Sequence, residues 1–412
     1  MIAKEAFYDK LETRAPELRE TEQFAALHGL IALAKDKAPY WRRMLAGIEP
    51  GDIDCRAALA SLPVTRKSDL MEMQAADPPF GGMTTVPVSA FRRVFRSPGP
   101  ICEPMGAKPD WFRGARSLYA AGFRKGDVVH NTFSYHFTPG AFMMESAAEA
   151  LGCTVFPGGV GQTEQQVEAI RHFGAVGFMG TPDFLKIVLD KAEEIGTALP
   201  SLAKALVGGG ALFPSLRAEI QGKGVEVMQN YGTADVGLIA YETSVLEGMV
   251  LDEGVIVEIV RPGSGDPVPD GEVGEVVVTT LNDDYPLFRF ATGDMSAVDP
   301  GKSSCGRTNT RIKGWMGRAD QTAKVRGMFI RPEQVDRVRA SHPEIMRLRL
   351  VVGSENNLDT ATLMVEASTR GDTFRDAVAE SFRSECKMRG RIEFADSLPN
   401  DGKVIDDQRH YD

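Results

Sequence analysis

Several short stretches hold side chains whose types could do chemistry. A carboxylate accepts hydroxyl hydrogen bonds, and a guanidinium offers planar, permanently charged donors. Asp294 in Thr292-Gly-Asp294 and Arg318 in Gly317-Arg-Ala-Asp320 are such groups. Gln229-Asn-Tyr-Gly-Thr-Ala-Asp235 sets an aromatic ring, a glycine and an acid in one short run. Gly208-Gly-Gly-Ala211 follows apolar Ala205-Leu-Val207 and reads as a strand ending in a tight turn, where bare backbone admits a planar ring. Lys403 closes Ser397-Leu-Pro-Asn-Asp-Gly-Lys403. Each stretch alone has a plain reading: Thr-Gly-Asp is a turn, Asp235 a helix cap, the glycines a loop and Lys403 a solvated charge.

Taken together and in order, these stretches resemble the motifs of the adenylate-forming (AMP-binding) superfamily, in its phenylacetate-coenzyme A ligase branch. Tyr8-Asp-Lys-Leu-Glu-Thr-Arg14, Ala38-Pro-Tyr-Trp-Arg-Arg43, Gly161-Gln-Thr-Glu-Gln-Gln166 and Gly180-Thr-Pro-Asp-Phe184 extend the likeness over most of the chain. The resemblance implies that Asp294 binds ribose hydroxyls and Arg318 helps hold the same sugar. It assigns Gly209, Gly210 and Ala211 to the adenine edge, and Asn230, Tyr231, Gly232 and Thr233 to further nucleotide contacts. Asp235 stands where the family usually has Glu, with Ala234 in place of a hydroxyl residue, and is the implied magnesium ligand; a hard cation accepts either carboxylate. Lys403 is the implied catalytic residue, its ammonium stabilising charge that gathers on the phosphoryl oxygens during adenylation.

The implied activity is ATP-dependent ligation of a carboxylic acid to coenzyme A through an acyl-adenylate, with ATP, magnesium and coenzyme A as cofactors. Tyr135, His136 and Phe137, on a strand expected to contain Phe133-Ser-Tyr-His-Phe137 beside the Gly208 turn, are candidate walls of an acyl pocket suited to an aryl or arylacetic acid; as sheet core they would have no such role. Asp320 falls in the implied hinge, and Lys324, Arg326 and Gly327 belong to a hairpin implied to line the coenzyme A tunnel. An amine or a carrier thiol is an alternative acceptor, and a non-catalytic protein that binds AMP or acyl-coenzyme A is an alternative from another class.

One stretch departs from the family. A Ser/Thr/Gly-rich loop, usually with a Lys, should cradle the β- and γ-phosphates near residues 95–106. Here it reads Phe95-Arg-Ser-Pro-Gly-Pro-Ile-Cys-Glu-Pro-Met-Gly106. Its prolines lack N–H donors, and Glu103 sets a negative charge where a phosphate would lie. Arg96, Ser97 and Gly99 remain as phosphate contacts, with Arg92 and Arg93 as substitutes.

These groups need a scaffold. Tyr8 to Arg19 and Phe24 to Lys37 place apolar residues three and four apart, predicting helices in an N-terminal layer that reaches about residue 75. From Val128, extended runs (Asp127–Phe133, Cys153–Phe156, Ala175–Met179) alternate with helical ones (Phe142–Leu151, Glu164–Phe173), the pattern of an α/β layered sheet. Val255–Val260 and Gly274–Thr280, set among turn residues, predict an antiparallel or β-barrel-like subdomain. A compact α+β tail follows Arg318, with helices at Pro332–Ala340 and Asp372–Cys386 and strands at Leu348–Gly353, Thr360–Glu366 and Ile392–Ala395. The expected fold is therefore the α/β adenylate-forming ligase fold: a large N-terminal domain, 1–317, and a small C-terminal lid, 318–412.

The composition fits such an enzyme. At 412 residues, 43% hydrophobic and 25% charged, the chain has material for two or three packed units. A net charge of −10 argues against a general nucleic-acid binder. The charged start, Met1-Ile-Ala-Lys-Glu5, and the absence of a long apolar run predict neither a signal peptide nor a membrane span, hence a cytoplasmic protein. Five scattered cysteines without CxxC spacing indicate neither a disulfide framework nor a zinc site. The expected partners are small molecules, with a homodimer as an allowed assembly.

Overall fold

The computed structural model describes residues 7–97, 100–210, 212–262, 264–319, 323–325, 328–330, 332–355, 358–399 and 403–409. It divides into two compact units. The first holds Met1–Glu272, Val276–Thr292 and Ser296–Trp315; the second holds Val273–Glu275, Gly293–Met295 and Met316–Asp412. Among the described residues, no helix is long and apolar enough to cross a membrane.

The first unit opens differently from the periodicity of Tyr8–Arg19. A short 3-10 turn, Lys10–Thr13, precedes one long helix, Pro16–Lys37. Pro16 explains the change: its ring cannot continue a helix from the preceding residues, yet at the first helical position its missing N–H costs nothing. Phe24, Leu27, Ile31 and Ala34 of this helix are buried in the main core. Strand β1 (Thr65–Arg66) follows, then a hairpin of β2 (Arg93–Ser97) and β3 (Ile101–Met105).

The layered region forms a sheet whose described strands are β4 (Val128–Asn131), β5 (Thr154–Pro157), β6 (Gly177–Gly180), β7 (Lys204–Val207), β8 (Glu226–Thr233), β9 (Gly237–Tyr241), β10 (Met249–Leu251), β14 (Val298–Asp299) and β15 (Arg311–Ile312). Their order is β14-β15-β10-β9-β8-β7-β6-β4-β5. From β8 to β5 every pair is parallel; from β8 toward β14 every described pairing is antiparallel. Period-two alternation puts Ala205 and Val207 on one face, against helices Thr163–Phe173, Pro182–Glu194 and Pro214–Gly222, and Leu206 on the other, with Met144 and Ala147 of helix Gly140–Leu151. The turn-rich strands β11 (Val255–Val260), β12 (Gly274–Thr280) and β13 (Phe290–Ser296) join β1 in a four-stranded sheet, β1-β13-β12-β11. Arg289 ties this sheet to its neighbours: with 2% exposure it donates to Glu258 and to the carbonyls of Ala60, Leu62 and Gly265.

The second unit has a hairpin of β16 (Ala323–Val325) and β17 (Met328–Ile330), then β18 (Ile345–Glu355), β19 (Leu358–Ala367), β20 (Arg391–Phe394) and β21 (Ile405–Asp407) in the order β20-β19-β18-β21. Helices Pro332–Ala340 and Asp372–Cys386 bury Val335, Val338, Val378 and Phe382 against Leu350, Val352, Leu363 and Val365. Unit two thus has its own apolar core.

Candidate active site

The strand directions concentrate backbone ends where β8 stops pairing in parallel and starts pairing antiparallel. In open α/β sheets, ligands sit beyond the carboxyl ends of the strands at such switch points. Gly208 leaves β7 there, and a Cβ on it would lie 2.2 Å from the Asn230 side-chain oxygen, so Gly208 and Asn230 fit only as a pair. Gly209 adopts φ +70°, a left-handed conformation that glycine takes without strain. The Gly208 turn and the 230–233 run are thereby brought together as the motifs require; Ala211 lies outside the described residues.

Along β8 the register shifts between Tyr231 and Gly232, a bulge that re-aims the following residues. The Tyr231 hydroxyl lies 3.2 Å from Thr292 Oγ1, linking this strand to the residue that opens Thr-Gly-Asp. Thr233 Oγ1 accepts from the Val236 N–H at 3.1 Å and closes the turn that carries Asp235. Asp235 is in this hairpin turn rather than at a helix end. Its residue is 3% exposed; one carboxylate oxygen accepts from Lys67 Nζ at 2.6 Å, and the other, Oδ1, has no hydrogen-bond partner among the described residues. That unpaired oxygen suits a hard cation, which binds through one carboxylate together with substrate phosphates and water. Among the described residues no group of three or more His, Cys, Asp or Glu is placed to hold a metal by itself.

The departing stretch is not an open loop. β2 and β3 pair from Arg93↔Met105 to Ser97↔Ile101, and Phe95, Ile101 and Met105 join the main core. The Gln74 side chain clamps Cys102, accepting from its N–H at 2.7 Å and donating to its carbonyl at 2.8 Å. Glu103 points inward. The Ser97 N–H donates to Glu103 Oε2 at 3.2 Å and the Ser97 hydroxyl donates to Oε1. Burial, with a smaller push from Asp235, raises the Glu103 carboxyl to about 7 despite the Ser97 donors. Of the arginines here, Arg93 spends its guanidinium over the Phe142 ring, 4.5 Å from the centroid, while Arg92 and Arg96 are exposed. Both Ser97 donors are thus engaged by Glu103. Gly99 lies outside the described residues.

In the second unit, Asp294 and Arg318 form an isolated antiparallel bridge, and Arg318 Nη1 lies 3.5 Å from Asp294 Oδ1. The acid side chain is 12% exposed and the guanidinium 48%. Lys403 is also exposed, with Nζ donating to Asp406 Oδ1 at 3.1 Å. Arg349, largely buried on β18, fixes the approach to it: Nε donates to the Lys403 carbonyl at 3.2 Å and Nη2 to the Pro399 carbonyl at 3.1 Å. Neither Arg349 nor Lys67 was legible beforehand, since each acts from a strand or turn remote in sequence from its partner. Asp320, Arg326, Gly327 and the Lys324 side chain lie outside the described residues.

The aromatic candidates do not lie on a strand. β4 ends at Asn131, and residues 132–139 form a loop in which Phe137 takes φ +62°. Tyr135 is half-buried, its ring edge-on to Phe142 and its hydroxyl donating to Glu145 Oε2 at 2.7 Å. His136 is exposed, and Phe137 projects at 79% exposure beside a cavity of about 330 Å³ lined by Phe80, Val88, Val94 and Phe95. Sheet core is thus excluded for all three.

Comparison with known proteins places this arrangement. Residues 111–282 match the family of AMP-binding enzymes. A phenylacetate-coenzyme A ligase of Thermus thermophilus is 31% identical over 380 residues, 88% of this chain and 84% of that protein. A 2-hydroxyisobutyryl-CoA ligase solved with 2-HIB-AMP and CoA in the thioesterification state superposes with a TM-score of 0.73 at 25% identity, over 99% of this chain and 93% of the other. The same ligase in the postadenylation state with 2-HIB-AMP gives 0.74, with coverages of 98% and 93%. The chain belongs to the phenylacetate-coenzyme A ligase family of AMP-binding enzymes and is an AMP-forming acid–thiol ligase.

Proposed function

We propose that this protein activates an aryl or arylacetic acid as its adenylate and passes the acyl group to coenzyme A. The activity is ATP-dependent acid–coenzyme A ligation through an acyl-adenylate. The observation that carries the choice of acid is the aromatic loop after β4, where Tyr135 and Phe142 pack edge to face beside Phe95. Flat, apolar walls with one anchored hydroxyl favour a planar acyl group.

In this reading Asp294 and Arg318 hold the ribose, the Gly209–Gly210 ledge faces adenine, and Asn230, Tyr231, Gly232 and Thr233 line the nucleotide. Asp235 would hold magnesium, which when bound neutralises phosphoryl oxygens. Lys403 leaves Asp406 to meet the acyl phosphate during adenylation. Residues 318–412 act as a lid that turns between half-reactions around Asp320, bringing the 324–327 hairpin to coenzyme A. Support for two states comes from the likeness to a ligase captured in both postadenylation and thioesterification states. The proposed place of action is the cytoplasm. Acid-dependent ATP–pyrophosphate exchange over aryl, arylacetic and short aliphatic acids tests the choice: exchange is expected to be strongest with the aromatic acids, and equal or stronger exchange with short aliphatic acids would overturn it.

A further inference from the structure

We infer that Glu103 is a built-in competitor for the terminal phosphates of ATP, and that this side chain sets the enzyme's preference between AMP and ATP. The inference rests on the ligase reading above, which assigns residues 95–106 to the β- and γ-phosphates. Ser97 supplies two donors in that stretch, its N–H and its hydroxyl, and both are given to the Glu103 carboxylate. A carboxylate presents oxygens to such donors much as a phosphate does. The protein has therefore filled the position with a carboxyl of its own, ionised as pH rises through about 7.

This carboxyl is held firmly. Glu103 is 1% exposed, the strands on either side of the turn bury Phe95, Ile101 and Met105, and Gln74 bonds both backbone groups of the adjacent Cys102. Pro98, Pro100 and Pro104 have no N–H to offer in place of Ser97. The nearby charges act on Glu103 in opposite senses, Asp235 raising its carboxyl and Lys67 lowering it. Asp235 acts electrostatically on Glu103, and the Lys67 ammonium is held by Asp235 at 2.6 Å. An incoming triphosphate must take the Ser97 donors from Glu103 and, where the carboxyl is ionised, bear the repulsion of its charge. AMP and an acyl-adenylate carry no β- or γ-phosphate and meet neither obstacle. The same competition helps to expel pyrophosphate once the adenylate has formed.

Calorimetric titration of wild type and Glu103→Gln with ATP and with AMP, at constant magnesium, tests this. Glutamine keeps an acceptor oxygen for Ser97 and removes the charge. The Kd for ATP is expected to fall about tenfold, equivalent to the loss of a modest repulsion, with the Kd for AMP unchanged. Glu103→Ala, which removes both charge and hydrogen bonds, serves if the glutamine variant does not fold, and unchanged AMP binding certifies its site. ATP affinity equal to wild type, or ATP and AMP affinities shifting together, would overturn the inference. Failure of the ligase reading has a separate signature: no acid-dependent pyrophosphate exchange in wild type or variant, whatever the ratio of ATP to AMP affinity.

Discussion

Asp294 and Glu103 lie in segments that family likeness assigns to one nucleotide, yet their surroundings differ. Asp294 is paired at 3.5 Å with a guanidinium that is half in solvent, whereas Glu103 is almost wholly buried with both Ser97 donors on its oxygens. An ion pair whose guanidinium reaches solvent is screened and contributes little by itself. A buried, hydrogen-bonded carboxyl is expensive to strip of its partners. The contrast is between a carboxylate whose ion-pair partner reaches solvent and one whose oxygens are taken up by Ser97 inside the first unit.

The largest expected effect lies outside both acids and calibrates them. Lys403→Ala should lower adenylation by about 10²–10³-fold, the usual loss for one group aimed at transition-state charge. Thioester formation from preformed acyl-adenylate should persist; equal loss of both half-reactions would remove Lys403 from its role. Asp294→Ala comes next and tests the sugar end. Losing two charge-assisted hydrogen bonds should weaken AMP binding by about ten- to a hundredfold, read by calorimetry, and an unchanged Kd would break the comparison at Asp294. The Glu103→Gln shift of about tenfold in ATP affinity sharpens the comparison at its buried end.

The smallest effect concerns stability. Burial raises the carboxyls of Glu103 and of Asp110 to about 7, and Asp110 Oδ1 has no hydrogen-bond partner among the described residues. In the unfolded chain both ionise near 4, so between about pH 4 and pH 7 the folded protein binds more protons. Stability from these groups is therefore full below about pH 4 and is lost as pH rises through 7. Scanning calorimetry from pH 5 to 8 should show Tm falling as pH rises, with a shallower fall in Asp110→Asn. A slope unchanged in that variant would show that Asp110 is already ionised in the folded protein.

Much of the fold was legible because its signals are local. The alternation of apolar runs with helical periodicity from Val128 to Met179 specifies layers, and helix Asp372–Cys386 begins and ends where its pattern does. At Pro16 a local rule outweighs apolar periodicity: one proline sets the start of the first helix. The site was legible where backbone shape carries it, as at Gly208, whose missing side chain makes room for Asn230. It was not legible where side chains meet across long stretches of sequence. Nothing near Lys67 announces that it pairs with Asp235, and nothing near Arg349 announces that it grips the Lys403 carbonyl. The positive φ of Phe137 likewise put the expected pocket wall in a loop, since alternating polar and aromatic residues suit a strand only while φ stays negative.

The central claim is that ATP is cleaved between the α- and β-phosphates with the acyl group retained on AMP. Mixing the protein with an aromatic acid and magnesium ATP, withholding coenzyme A, and quenching within one turnover tests it directly by mass spectrometry. The account predicts acyl-adenylate and pyrophosphate in equal amounts, with acyl-coenzyme A and AMP appearing once coenzyme A is added. ADP together with an acyl phosphate or free phosphate would contradict it.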